Sequence, residues 1–264
     1  MPFPVAPRVI YRRNPLDNVI SQVRFTPILR IDSEPPAQFQ ERIRDRFPQY
    51  RQKLEVTSEI TLPPDGQFTL DPFGVATNRG KQLNHEFISE DGVWKLNLTR
   101  TFLSLSCSKY SRWEEFYQLY KNAVDAVVDV YKVPYFTRVG LRYVDIFKRS
   151  ALGLETEPWS ELLNSHLLGL VSSDASDNIK SFETSYEVDL NDTNVARISS
   201  SFVQSTSENE ICFMLDSDFF ALKRLPIDGL GSLLGSLHDH ATNLIQWSVT
   251  KKLHEAMQPE TLIP

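Results

Sequence analysis

The sequence predicts an α+β protein of two similar units, each a curved antiparallel sheet packed on a long helix. Three observations predict it. Val23-Arg24-Phe25 lies in an apolar run near the start and Leu141-Arg142-Tyr143 in another past the middle, with an offset of 118 residues between the arginines. The same offset carries Trp113, near the start of one long helical pattern, onto Gly231, near the start of a second. The order strand, helix, several strands, long helix then occurs twice. A sheet with one apolar face and a helix with one apolar stripe bury each other, so each sheet is expected to curl around its long helix. The expected division is an N-terminal arm over 1–13, a first unit over 14–133 and a second over 134–264, packed as one body.

The opening residues are rich in proline and read as a loose arm. Asn14-Pro15-Leu16 introduces a strand over about 19–31, with Ile20, Gln22 and Arg24 on one face and Val23 and Phe25 on the other. Asp32 and Ser33 can cap a helix entered at Pro35-Pro36. Phe39, Ile43 and Phe47 give it an apolar stripe, and Pro48 stops it. A strand over 54–62 runs to the turn Pro63-Pro64-Asp65-Gly66, with weaker strand candidates over 68–78 and 83–89. Glu90-Asp91-Gly92 marks a hairpin, and Trp94, Leu96 and Leu98 alternate with polar residues behind it. The parity then switches to Leu103, Leu105 and Cys107, which requires a turn or bulge at Arg100-Thr101. From Ser111 the period becomes helical, with Trp113, Phe116, Tyr117, Tyr120, Val124, Val127 and Tyr131 on one stripe.

The second pass opens with a strand over 136–147 and a short helix from Pro158 with Trp159, Leu162, Leu163 and His166. A Ser/Asp-rich stretch over 172–178 is a loop. Strands follow over about 182–190, 196–204 and 210–216, the last two joined through Ser207-Glu208-Asn209. A long helix with a leucine-rich stripe closes the chain, and Leu253 and Met257 extend it. This strand–helix–strands–helix order in duplicate resembles the TATA-binding-protein fold, a saddle, and the related helix-grip folds.

Asn14-Pro15-Leu16, Val23-Arg24-Phe25 with Pro27-Ile28-Leu29, and Gly140-Leu141-Arg142-Tyr143 form one set of landmarks. Leu215-Asp216-Ser217-Asp218-Phe219 and the run from His238 to Trp247-Ser248-Val249-Thr250 form another. Together they resemble a sporadically distributed bacterial family of uncharacterised cytoplasmic proteins, across almost the whole chain. That resemblance brings no established catalytic residues. Sporadic occurrence implies a defence or toxin-regulating locus rather than central metabolism.

Composition bounds the function classes. The 264 residues carry a net charge of −6, against a protein whose main task is gripping phosphate backbones. The charge is uneven, since residues 1–60 hold ten Lys/Arg and seven Asp/Glu. No apolar run is long enough to span a bilayer, and the start lacks a signal-peptide pattern, so the expectation is a cytoplasmic protein without membrane contact. Ten glycines without a phosphate-loop, serine-elbow or zinc-ligand spacing leave no cofactor to expect.

The candidate chemistry falls into three sets. Arg24 and Arg142, at equivalent positions, form either a symmetric pair of anion-binding forks or two structural ion pairs with a local carboxylate such as Asp32 or Asp145. Arg42 and Arg46, one helical turn apart, point away from the Phe39 stripe and suit an acidic partner. Asp216 and Asp218 share a strand face and, with His238, are a weak candidate metal set; otherwise they end the strand. The reading these residues favour is a non-enzymatic protein that binds a macromolecular partner, a protein above all, through Arg24, Arg42, Arg46 and Arg142. Two alternatives stay open. One is a metal- or cysteine-dependent enzyme whose site is assembled from distant residues; the other is a nucleic-acid-binding module using the basic first-half helix.

Overall fold

A computed structural model describes residues 2–59, 78–205 and 209–261. Its centre is one nine-stranded antiparallel sheet with strands from both halves of the chain. In chain order the strands outside a small terminal pair are β2 (Leu16–Arg24), β3 (Gln49–Glu59), β4 (Asn78–Ile88), β5 (Trp94–Thr99) and β6 (Phe102–Cys107), then β7 (Arg138–Phe147), β8 (Glu183–Asp189), β9 (Asn194–Gln204) and β10 (Ile211–Ala221). They are arranged β3-β4-β5-β6-β2-β7-β10-β9-β8. The first strand of each half therefore lies at the middle, β2 against β7, and the strand before each long helix flanks it.

Strand parity sorts the two faces. Val19, Ser21 and Val23 of β2, Leu141 and Tyr143 of β7, and Leu215 and Phe219 of β10 are buried. Over them lie α3 (Trp113–Tyr131) and α7 (Leu230–Ser248), each of 19 residues. Phe116, Tyr120, Val124 and Val127 of α3 are fully buried, as the helical stripe requires. Lys132 adopts a left-handed backbone (φ 56°) after α3, and Pro134 prevents the helix from resuming. The parity switch at Arg100-Thr101 is a tight hairpin in which Thr99 pairs with Phe102. Two short helices precede β3: α1 (Arg30–Ser33) and α2 (Ala37–Ile43), whose Phe39 packs edge-on against Phe87.

Several expectations change. The strand expected over 19–31 ends at Arg24, Asp32 and Ser33 lie inside α1 instead of capping the next helix, and that helix ends at Ile43, before Phe47. The opening arm is docked. Phe3 is buried against His240 and Trp247, and Ala6 N donates to Asn243 Oδ1 at 3.0 Å. β1 (Val9–Tyr11) pairs with β11 (Pro259–Thr261), so both chain ends close on each other. The short helix from Pro158 is split into α5 (Trp159–Leu162) and α6 (Ser165–Leu168), preceded by α4 (Arg149–Leu152). The last helix breaks after Ser248, because the chain is pulled against α5: Val249 bridges Leu163, and Thr250 N donates to Leu162 O at 2.9 Å. Thr250 then caps a separate α8 (Lys251–Ala256). Finally, β10 runs on to Ala221, since β7 and β9 pair with it on both sides to that point. Asp216 and Asp218 stand within the strand, not at its end. The expected turn at Pro63-Pro64-Asp65-Gly66, residues 60–62 and 68–77 of the expected strands, and Ser207-Glu208 lie outside the described residues.

Docking of the arm carries a stability prediction. Phe3→Ala is expected to cost about 3 kcal/mol, the low end for a buried phenylalanine because a terminal strap can collapse into the gap. An unchanged denaturant midpoint would show that the arm adds nothing.

Candidate functional site

Even-numbered residues of β2, β7 and β10 point away from the helices. Among the described residues no helix covers this face at the central strands, and a groove of about 610 Å³ runs across it. Its floor is the β2–β7 seam, with Gln22 and Arg24 on one side and Arg138, Gly140 and Arg142 on the other. Asp218 and Phe220 of β10 and Arg197 of β9 form the wall.

The arginines are held in different ways. Arg142 makes a two-point fork to Asp216, Nε to Oδ1 at 2.7 Å and Nη2 to Oδ2 at 2.5 Å. This bonding raises its pKa, outweighing desolvation. Arg138 donates to Asp218 Oδ2 at 2.7 Å, yet its pKa falls and that of Asp218 rises. Desolvation is the largest cause for both, and like charges add to it: Arg24 and Arg197 act on Arg138, and Asp216 acts on Asp218. The Arg138 guanidinium lies 4.7 Å over the Phe220 ring, and Arg197 approaches the same ring at 6.0 Å. Gly140 makes this placement possible. A Cβ there would stand 2.5 Å from Arg138 Nη1, so any side chain would lift the guanidinium off the sheet.

Arg24 differs. It sits directly opposite Arg138 in the antiparallel register, a like-charge cross-strand pair. Its Nε donates to Gln22 Oε1 at 3.0 Å, and the same oxygen lies 3.5 Å from Arg138 Nη1. No carboxylate pairs with Arg24 among the described residues, and the side chain is exposed.

The expected site residues thus divide between two faces. Arg24 and Arg142 share the groove. Arg42 and Arg46 lie in the helix layer on the other side, where Arg42 pairs with Asp129 of α3 at 2.5 Å and Arg46 lines a shallow hollow with Asp45, Glu90 and Asp91. Four arginines therefore do not form one contact surface. The carboxylate partner of Arg142 is Asp216, not Asp145, because Asp145 has the opposite parity and faces the helices. Asp32 pairs with Arg100. Asp216 and Asp218 do not converge with His238, whose Nδ1 lies 2.8 Å from Tyr143 Oη beneath the helix layer. Among the described residues no group of three or more His, Cys, Asp or Glu is placed to hold a metal ion. Burial pushes the Cys107 thiol up to about 11, which leaves it protonated and unreactive at neutral pH.

Arg138, Arg197 and Phe220 are groove residues that sequence reading passed over. Parity could have found Arg138, four residues before Arg142 on one strand. Arg197 and Phe220 join them only through the β10–β9 register, where Val195 stands opposite Phe220 and Arg197 opposite Asp218. No protein-family model matches the chain, and none of the curated proteins matches it in sequence.

Proposed function

We propose that this chain is a non-enzymatic binding protein that accepts a carboxylate-bearing segment of a protein partner in the groove over the β2–β7 seam. The observation that carries this reading is Arg24, an exposed arginine without a carboxylate, set opposite Arg138. A partner's carboxylate entering between them relieves the like-charge contact and completes Arg24 in the way Asp216 completes Arg142. The neighbouring Asp216, Asp218 and Glu187 favour a protein over a nucleic acid, because a polyphosphate would be repelled along most of the wall. A cytoplasmic setting in a bacterial defence or toxin-regulating locus is what the family resemblance implies, and it suits a partner-binding role.

We read the chain as two copies of one unit. The central placement of β2 and β7, the flanking of each by β6 and β10, and two helices of equal length support the duplication. The copies then diverge: five strands lie on one side of the seam and four on the other.

The test is anisotropy titration of a labelled peptide carrying a single carboxylate side chain, with its C-terminus amidated, and a labelled RNA hairpin at low and moderate salt. Arg24→Glu is expected to weaken peptide binding about tenfold or more, while Arg42→Glu/Arg46→Glu leaves it within twofold, each judged on protein whose melt shows it folded. Peptide binding indifferent to Arg24→Glu, or RNA binding the tighter of the two, would sink the proposal.

A further inference from the structure

Beneath the helix layer, away from the groove, lies a cavity of about 90 Å³. At roughly 10–15 Å³ per water, it has room for about six waters or one small organic molecule. The docked arm from Arg8 and the chain up to the start of β2 at Leu16 form one side, the end of the loop before α3 another, and α7 the roof. Its walls are aromatic and aliphatic: Tyr11, Tyr110, Trp113, Tyr143, Leu215 and Ile245. Asp145 of β7 opens into it, only 4% exposed, and no cation pairs with it among the described residues.

The charged and titratable groups around the cavity leave that carboxylate without a counter-charge. His238 of α7 is held neutral, its pKa pushed down to about 4 mainly by burial and next by Arg8. Its Nδ1 is engaged by Tyr143, and its ring stacks on Trp113 at 4.4 Å and 5°. Arg8 at the rim is bound by Glu114 through two contacts, at 2.5 and 3.1 Å. Tyr11 Oη is engaged by His254 Nδ1 at 2.8 Å, so the ring, not the hydroxyl, is left for a ligand. Arg112, exposed where the wall meets solvent, Tyr110, and Asp216 across the strand pair complete the set; Asp216 repels Asp145.

We propose that this cavity binds a small organic ammonium ion, its charge set against Asp145 and its carbon substituents against the tyrosine and tryptophan rings. Carboxylate and ring faces both attract a cation, and they do so most strongly where water is excluded. A metal ion is the poorer fit, since one carboxylate among apolar walls cannot supply the oxygen shell that a hard cation requires.

Calorimetric titration of the full chain with choline, n-butylammonium and the uncharged choline isostere 3,3-dimethylbutan-1-ol tests this, with Trp fluorescence as a second signal from Trp113. The ammonium ions are expected to bind at pH 8 and the alcohol at least about tenfold more weakly. Asp145→Asn should abolish the preference, as judged on protein whose melt shows it folded. In the wild type, affinity should fall as pH drops below about 7, where Asp145 takes up its proton. This arm stands even if the variant misfolds. Equal binding of the alcohol, no ammonium binding at millimolar concentration, or affinity indifferent to pH between 8 and 6 would overturn the proposal. None of these outcomes bears on the groove.

Discussion

Ending the chain at Gly229 is expected to leave insoluble protein with no cooperative melt. The lost segment, 230–264, carries α7, α8 and β11. Leu230, Leu233, Leu234, Leu237 and Leu244 of α7 are all buried, and the helix lies on β7 and β10. Each buried leucine side chain contributes about 1.5–3 kcal/mol, so their loss removes on the order of 10 kcal/mol. A domain's whole margin is about 5–15 kcal/mol. The damage extends further, because β1 loses its β11 partner and Phe3 loses the His240–Trp247 pocket. Sedimentation of the lysate and a circular-dichroism melt check it. A soluble truncation that melts cooperatively would contradict the packing argument.

Asp145→Asn is expected to stabilise the protein above pH 7 and to change the shape of its pH profile. Burial, with repulsion from Asp216 behind it, lifts Asp145 from 3.8 to about 7. The folded state therefore holds a proton that the unfolded state has released, and stability is lost as pH rises from about 4 through 7. The shift corresponds to on the order of 4 kcal/mol, a ceiling that bound water reduces. His238 acts in the opposite sense. Its pKa drops from 6.5 to about 4, so the unfolded state takes the proton first and stability is lost as pH falls from 6.5 towards 4. His166 and His240, also lowered by burial, add to that slope. In the wild type the two trends oppose each other between about pH 4 and 6.5 and leave a shallow profile. Asp145→Asn removes one of them. Denaturant titrations should show the variant more stable by about 2–4 kcal/mol at pH 8, and then losing stability steeply on acidification. Identical profiles for variant and wild type would show that Asp145 titrates normally in the folded protein.

These two predictions draw on different kinds of information. The leucine stripe of α7 is visible in the sequence, because helical spacing by itself decides which side chains share a face. The charge state of Asp145 is not. In the sequence it is one acidic residue in a strand, and its parity places it beside Tyr143 without revealing what lies above. The roof over it comes from α7, and the flank from an arm more than 130 residues away that sequence reading left loose. Proline-rich residues at a chain end carry no periodic signal, so nothing local announces that Phe3 will be buried.

The groove shows the same division. By itself the sequence determined the α+β class, the parity of β2, β5 and β6, a change of phase at Arg100-Thr101 and the span of α3, since each rests on side-chain spacing within one segment. It also assigned Arg24 and Arg142 equivalent positions in the two halves, without saying which face of the sheet they take. Only the tertiary structure decided that Arg24 stands opposite Arg138, that Asp216 and not Asp145 receives Arg142, and that Arg42 and Arg46 lie behind the sheet. Spacing fixes which side chains share a face; register and strand order, set by packing across the whole sheet, fix which charge each meets there.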